Sequence, residues 1–136
     1  MKRQLYFVDV VWFLFCAVVI MVRVPAGPRF YAGMGLMAVS FTLWMAARFQ
    51  LGRSFRATAQ AHKLVTTGLY SKFRNPIYLF GQLAFLGLAI AWNTVLGYAL
   101  FTLAIPLQML RARKESTVLE KAFGDEYRAY RARTLF

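Results

Sequence analysis

Four apolar runs, approximately Leu5 to Val24, Phe30 to Leu51, Ile77 to Trp92 and Thr94 to Leu110, take up most of this 136-residue chain and restrict its fold more than any other feature. A helix of about 20 apolar residues spans the hydrocarbon of a bilayer. The expected fold is therefore all-α: one polytopic membrane domain over residues 1–136 with about four transmembrane helices. The third run is short and reaches the fourth across little more than Asn93, so these two should form a tight hairpin, packed through Gly81, Gly87 and Gly97. A hydrophobic share of 60% agrees with this reading and is too high for a typical soluble domain of this length.

Between the second and third runs lies a polar segment, residues 52–76, whose end with the start of the third run reads HKLVTTGLYSKFRNPIY, His62 to Tyr78. Gly68 suits a turn, and Pro76 suits the opening of a helix. Long connections in compact proteins are commonly functional, and this one is expected to bind a cofactor. Basic residues orient the chain. Of seventeen Lys and Arg, only Arg23 and Arg29 fall on one side, and all the others, from Lys2 and Arg3 to Arg133, fall on the opposite one. Positive charge retained inside puts both termini in the cytoplasm, a parity that four crossings satisfy. The expected location is the inner membrane of a bacterium, with the 52–76 loop and the tail, residues 111–136, meeting on one cytoplasmic face.

The tail carries Val118, Leu119, Ala122, Phe123, Tyr127 and Tyr130 near helical spacing with charge between them. That pattern predicts an amphipathic cytoplasmic helix on the membrane surface, interrupted at Gly124. A net charge of +12 points to anionic lipid headgroups, since the basic residues flank apolar runs and form no patch on a soluble fold. Nucleic acid is not an expected partner. Cys16, the single cysteine, permits no internal disulfide and reads as a small buried hydrophobe. Lys2 and Arg3 ahead of an apolar run resemble a secretory signal, but the run is long, holds Asp9 and lacks a small-residue cleavage site, so it reads as an uncleaved first helix.

Several residues admit a chemical and a structural reading side by side. Arg111 and Glu115 are four apart and share a helix face, which serves either a common ligand or a surface ion pair of little worth. Arg74 either joins a site or anchors at the headgroups. Tyr70, Tyr78, Tyr127 and Tyr130 form either an interfacial aromatic belt or an aromatic wall for a cation. Asp9, the acid inside a predicted crossing, either acts in function or snorkels toward Lys2 and Arg3. His62, the one histidine, excludes a multi-histidine metal centre, and no metal site is expected.

Two blocks, LVTTGLYSKFRNPIY and, one hairpin later, RARKESTVLEKAFGDEYRAY, resemble the isoprenylcysteine carboxyl methyltransferase family, a pattern shared by related membrane phospholipid methyltransferases. The resemblance implies an integral-membrane enzyme that binds S-adenosylmethionine in a cytoplasmic pocket of loop, hairpin and tail, without a Rossmann fold. Carried over by motif, the cofactor-binding residues are His62, Lys63, Leu64, Val65, Tyr70, Asn75, Pro76, Ile77, Tyr78 and Glu115, and Arg111 positions the acceptor. Asn75 stands where a histidine is common and Ser116 where a second glutamate is usual. The implied acceptor is lipophilic or membrane-associated, with a carboxylate or thiolate favoured because neither needs a base. The alternatives are a phospholipid N-methyltransferase and a non-catalytic lipid-binding scaffold. Neither acceptor nor oligomeric state follows from the sequence.

Overall fold

The computed structural model describes residues 2–55 and 64–136, with side chains from residues 10–51 and 64–136. His62 and Lys63 lie outside the described residues, as does the side chain of Asp9. The fold is all-α: α1 (Lys2–Arg23), α2 (Pro28–Phe55), a 3-10 turn (Gly68–Ser71), α3 (Pro76–Trp92), α4 (Val95–Phe123) and α5 (Asp125–Arg133). Among the described residues, two stretches, Pro28–Leu51 and Val95–Phe123, are long and apolar enough to cross a membrane, whereas Pro76–Trp92 and the apolar part of α1, Val10–Arg23, are shorter.

α3 is the central helix and packs most extensively on α2. Glycine makes this closeness possible. A Cβ on Gly87 would stand 2.5 Å from the Met37 nitrogen and 2.6 Å from the Gly33 carbonyl oxygen. One on Gly33 would stand equally close to Ala91 and Gly87, so the two backbones touch where neither has a side chain. Gly81 makes room for the Trp44 indole in the same interface. The expectation that Gly81 and Gly87 pack the α3–α4 hairpin is therefore corrected: both face α2, and Gly97 alone serves the hairpin turn. Elsewhere the hairpin is joined by Gln82 Nε2 donating to the Phe101 carbonyl at 3.2 Å and by the Phe85 and Phe101 rings, 6.3 Å apart.

The hairpin turn follows from local chemistry. Asn93 takes the left-handed conformation at φ 49° that asparagine tolerates, and its N–H closes α3 on Ala89. Thr94 then caps α4, its hydroxyl accepting from the Gly97 N–H at 3.1 Å.

α1 joins the bundle through Ala17 and Ile20, which are buried with Met34 of α2 and Leu88 and Ala91 of α3. From Val11 onward it also exposes large apolar residues, including Trp12, Phe15, Val18 and Val22. α4 likewise exposes Leu96, Leu100, Leu103, Leu107 and Leu110. Apolar residues that no other helix covers are what lipid-facing helices carry.

The helix expected over Thr94–Leu110 continues past it: α4 runs unbroken through Pro106 to Phe123, carrying Arg111 and Glu115 beyond the apolar stretch. The interruption at Gly124 is observed, at φ 52°. Past it, α5 departs from the expected surface helix. Its inward face, Tyr127 and Tyr130, is buried against Leu64, Leu119 and Phe123, so the tail's apolar side covers the loop.

Candidate active site

At one end of α3 a cavity of about 490 Å³ is lined by Arg48 and Leu51 of α2, Tyr70, Arg74 and Asn75 of the loop, Ile77 and Tyr78 of α3, and Arg111, Lys114, Glu115 and Val118 of α4. Three helices and the loop thus meet where the apolar stretches end.

Loop geometry is set at two glycine- and proline-controlled points. Gly68, at φ 64°, starts the 3-10 turn, and a Cβ there would run into the Gln50 side chain at 2.6 Å. Gln50 instead accepts from the Leu69 N–H at 2.9 Å, tying the turn to the end of α2 and sending Tyr70 inward. Asn75 precedes proline, which disfavours helical geometry at that residue, and Pro76 occupies the first position of α3.

The tail holds the loop from outside. The Tyr130 hydroxyl donates to the Tyr70 carbonyl at 2.8 Å, a buried bond between residues sixty apart in sequence. Leu135 donates to the Lys72 carbonyl at 2.8 Å and accepts from the Arg74 N–H at 2.8 Å, while the Asn75 N–H donates to Phe136 at 2.9 Å. Phe73 and Leu135 thereby form a one-residue parallel bridge. Both flanks of the cavity-lining loop are gripped by residues from the end of the chain.

Glu115 is the cavity's one carboxylate, set against Arg48, Arg74, Arg111 and Lys114. Burial pushes its pKa above the ordinary glutamate range, and a hydrogen bond from the Tyr78 hydroxyl partly offsets that. Burial, and then the negative field of Glu115, also make the Tyr70 phenol harder to ionise. Tyr130 is pushed up to about 12, chiefly by burial. Among the described residues no ion pair joins Arg111 to Glu115; the carboxylate turns to Tyr78 instead. The Arg48 guanidinium lies over the Trp44 ring at 3.9 Å.

Of the residues singled out from sequence, Tyr70, Arg74, Asn75, Ile77, Tyr78, Arg111 and Glu115 share this cavity. Leu64 is buried beneath Tyr127 and Tyr130, Val65 is half-buried beside it, and Pro76 is fully buried at the start of α3; none of the three is on the cavity wall. Tyr127 and Tyr130 form neither a belt nor a wall, because their rings anchor α5 on Leu64. Sequence reasoning missed Arg48, Leu51, Lys114 and Val118 as cavity residues. Lys114 and Val118 sit within the second motif block, where helical spacing around Glu115 could have found them. Arg48 and Leu51 lie outside both blocks, and only the packing of α2 on α3 brings them in.

Residues 28–126 match the family model described as phospholipid methyltransferase. Comparison with curated proteins and with solved structures finds no match. The matched stretch runs from the first residue of α2 into α5 and so takes in every element that lines the cavity; the chain belongs to the phospholipid methyltransferase family, and with it to the membrane methyltransferases.

Proposed function

We propose that the chain is an integral-membrane, S-adenosylmethionine-dependent methyltransferase with four crossings and both termini in the cytoplasm, acting on a lipophilic or membrane-associated acceptor. The observation that carries this reading is the cavity in which Tyr78 donates to Glu115, with Tyr70, Asn75 and Arg111 on the same wall. Its chemistry suits a sulfonium nucleoside. A partly buried carboxylate and tyrosine side chains favour a cation, and the volume of about 490 Å³ falls in the small-molecule range of about 300–1,000 Å³.

Bound there, the cofactor would supply a methyl group on positively charged sulfur, which leaves as a neutral thioether when a nucleophile displaces it. The chain's residues have the remaining tasks. Glu115, held by Tyr78, and the side chain of Tyr70 would hold the cationic ligand. Arg111, exposed at the end of the apolar stretch of α4, would position an anionic group of the acceptor where lipid and water meet. Among the described residues on the cavity wall, Glu115 is the one carboxylate and is already engaged by Tyr78. This favours a carboxylate or thiolate acceptor over an ammonium, which must first lose a proton. Phospholipid N-methylation remains the second reading, favoured by the family match itself.

Membranes carrying the protein, incubated with methyl-labelled S-adenosylmethionine, should yield a labelled lipophilic product whose identity separates O-, S- and N-methylation. Glu115→Ala should abolish labelling mainly through cofactor affinity, and Arg111→Ala mainly through acceptor use. Calorimetry in detergent that finds folded protein but no cofactor binding would favour a non-catalytic scaffold and overturn the proposal.

A further inference from the structure

Arg48 reads in the sequence as one more positive charge at the end of an apolar helix, and the cofactor assignments above give it no role. Three observations set it apart. It lies on the cavity wall with Glu115, although the two come from different helices, α2 and α4. Its guanidinium is held over the Trp44 ring at 3.9 Å, and Trp44 is itself buried against Gly81 of α3. Tyr70 lies within the fields of both charges, Glu115 opposing loss of its proton and Arg48 favouring it.

A guanidinium stacked on an indole has its face occupied and its orientation restricted, and the N–H edge of a guanidinium matches a planar carboxylate. The other cations are placed differently. Arg111, near the end of the apolar stretch of α4, is exposed, and so is Lys114, next to Glu115 in sequence, whereas Arg48 is half-buried. Arg74 lies beside Tyr130, on the side held by the tail. The Arg48 guanidinium and the cavity's one carboxylate, which both act on Tyr70, complement a zwitterion, the charge pattern of an α-amino acid.

We propose that Arg48 and Glu115 form a subsite for the amino-acid head of the methyl donor, with Arg48 taking its carboxylate and Glu115 its cationic side. This rests on the reading of the cavity as an S-adenosylmethionine site. Arg48 is then a cofactor-positioning residue supplied by α2, and Arg74, Arg111 and Lys114 stay available to an anionic acceptor.

The test is calorimetry on the full chain in detergent with S-adenosylmethionine and with its decarboxylated analogue, which keeps the sulfonium, the amine and the nucleoside. Wild type should bind the analogue at least about tenfold more weakly. Arg48→Met, which retains an apolar stem over Trp44, should bind S-adenosylmethionine about as weakly as wild type binds the analogue, and should no longer distinguish the two. Arg111→Met should still distinguish them. Equal binding of both ligands by wild type overturns the assignment without recourse to any variant, as does full discrimination by Arg48→Met. If wild type binds neither ligand while folded, the cofactor reading itself fails, an outcome distinct from the other two.

Discussion

Tyr127 and Tyr130 are one helical turn apart on α5, buried in one cluster, with ring centroids 6.2 Å apart, yet their hydroxyls have opposite situations. Tyr130 donates to the Tyr70 carbonyl at 2.8 Å in a buried bond. The Tyr127 hydroxyl has no hydrogen-bond partner among the described residues, although the residue is 0% exposed. Phenylalanine preserves both rings and isolates the hydroxyls. Tyr130→Phe leaves a buried carbonyl unsatisfied, at a cost of about 1–3 kcal/mol. Tyr127→Phe removes a buried polar group without a partner, and should be neutral or stabilising. Because the Tyr130 bond fixes the carbonyl of a cavity residue, its loss should also weaken cofactor binding, by up to about tenfold if some 1.4 kcal/mol of the cost falls on the ordered loop. Thermal unfolding in detergent, with and without S-adenosylmethionine, measures both effects. Equal melting temperatures for the two variants, or a larger loss in Tyr127→Phe, would refute the reasoning that the tail holds the loop through Tyr130.

Gly87→Ala places a Cβ 2.5 Å from the Met37 nitrogen, backbone that cannot step aside, so α2 and α3 must separate; a loss of about 1–3 kcal/mol or more is expected, read as a lower melting temperature and a smaller yield of monodisperse protein. Glu115→Gln should divide stability from function. The Glu115 pKa is raised in the folded state, so its unfavourable effect is absent below the ordinary glutamate range and grows as pH rises through the raised value; the variant should be more stable than wild type at neutral pH and lose this slope. Cofactor affinity should move the other way, falling in wild type as acid protonates Glu115 and staying low at every pH in Glu115→Gln, as titration calorimetry across pH would show. Gln50→Leu removes the acceptor of the Leu69 N–H and should cost about 1–2 kcal/mol with weaker cofactor binding, whereas unchanged affinity would show that Tyr70 is positioned without the tie to α2.

The helices and the punctuation between them were legible in the sequence because each has a local cause. Apolar runs of sufficient length dictate helices, Asn93 and Thr94 dictate the hairpin turn, Pro76 opens α3, and Gly124 breaks the tail. The two motif blocks likewise marked Tyr70, Asn75, Tyr78, Arg111 and Glu115 for one pocket, and these residues do share it. What stayed illegible depends on which helix faces which. A glycine says that something approaches closely, never what: Gly87 receives the backbone of α2, not that of α4. A helix with an apolar side says that the side must be covered, and lipid and protein cover it equally well; only the fold puts Leu64 under Tyr127 and Tyr130 and turns α5 into a clasp on the loop. Arg48 is the sharpest case. Its local sequence is that of any basic residue at the end of an apolar helix, and it reaches the cavity because α2 and α3 meet at paired glycines far along the chain from it, a long-range steric fact that no local pattern encodes.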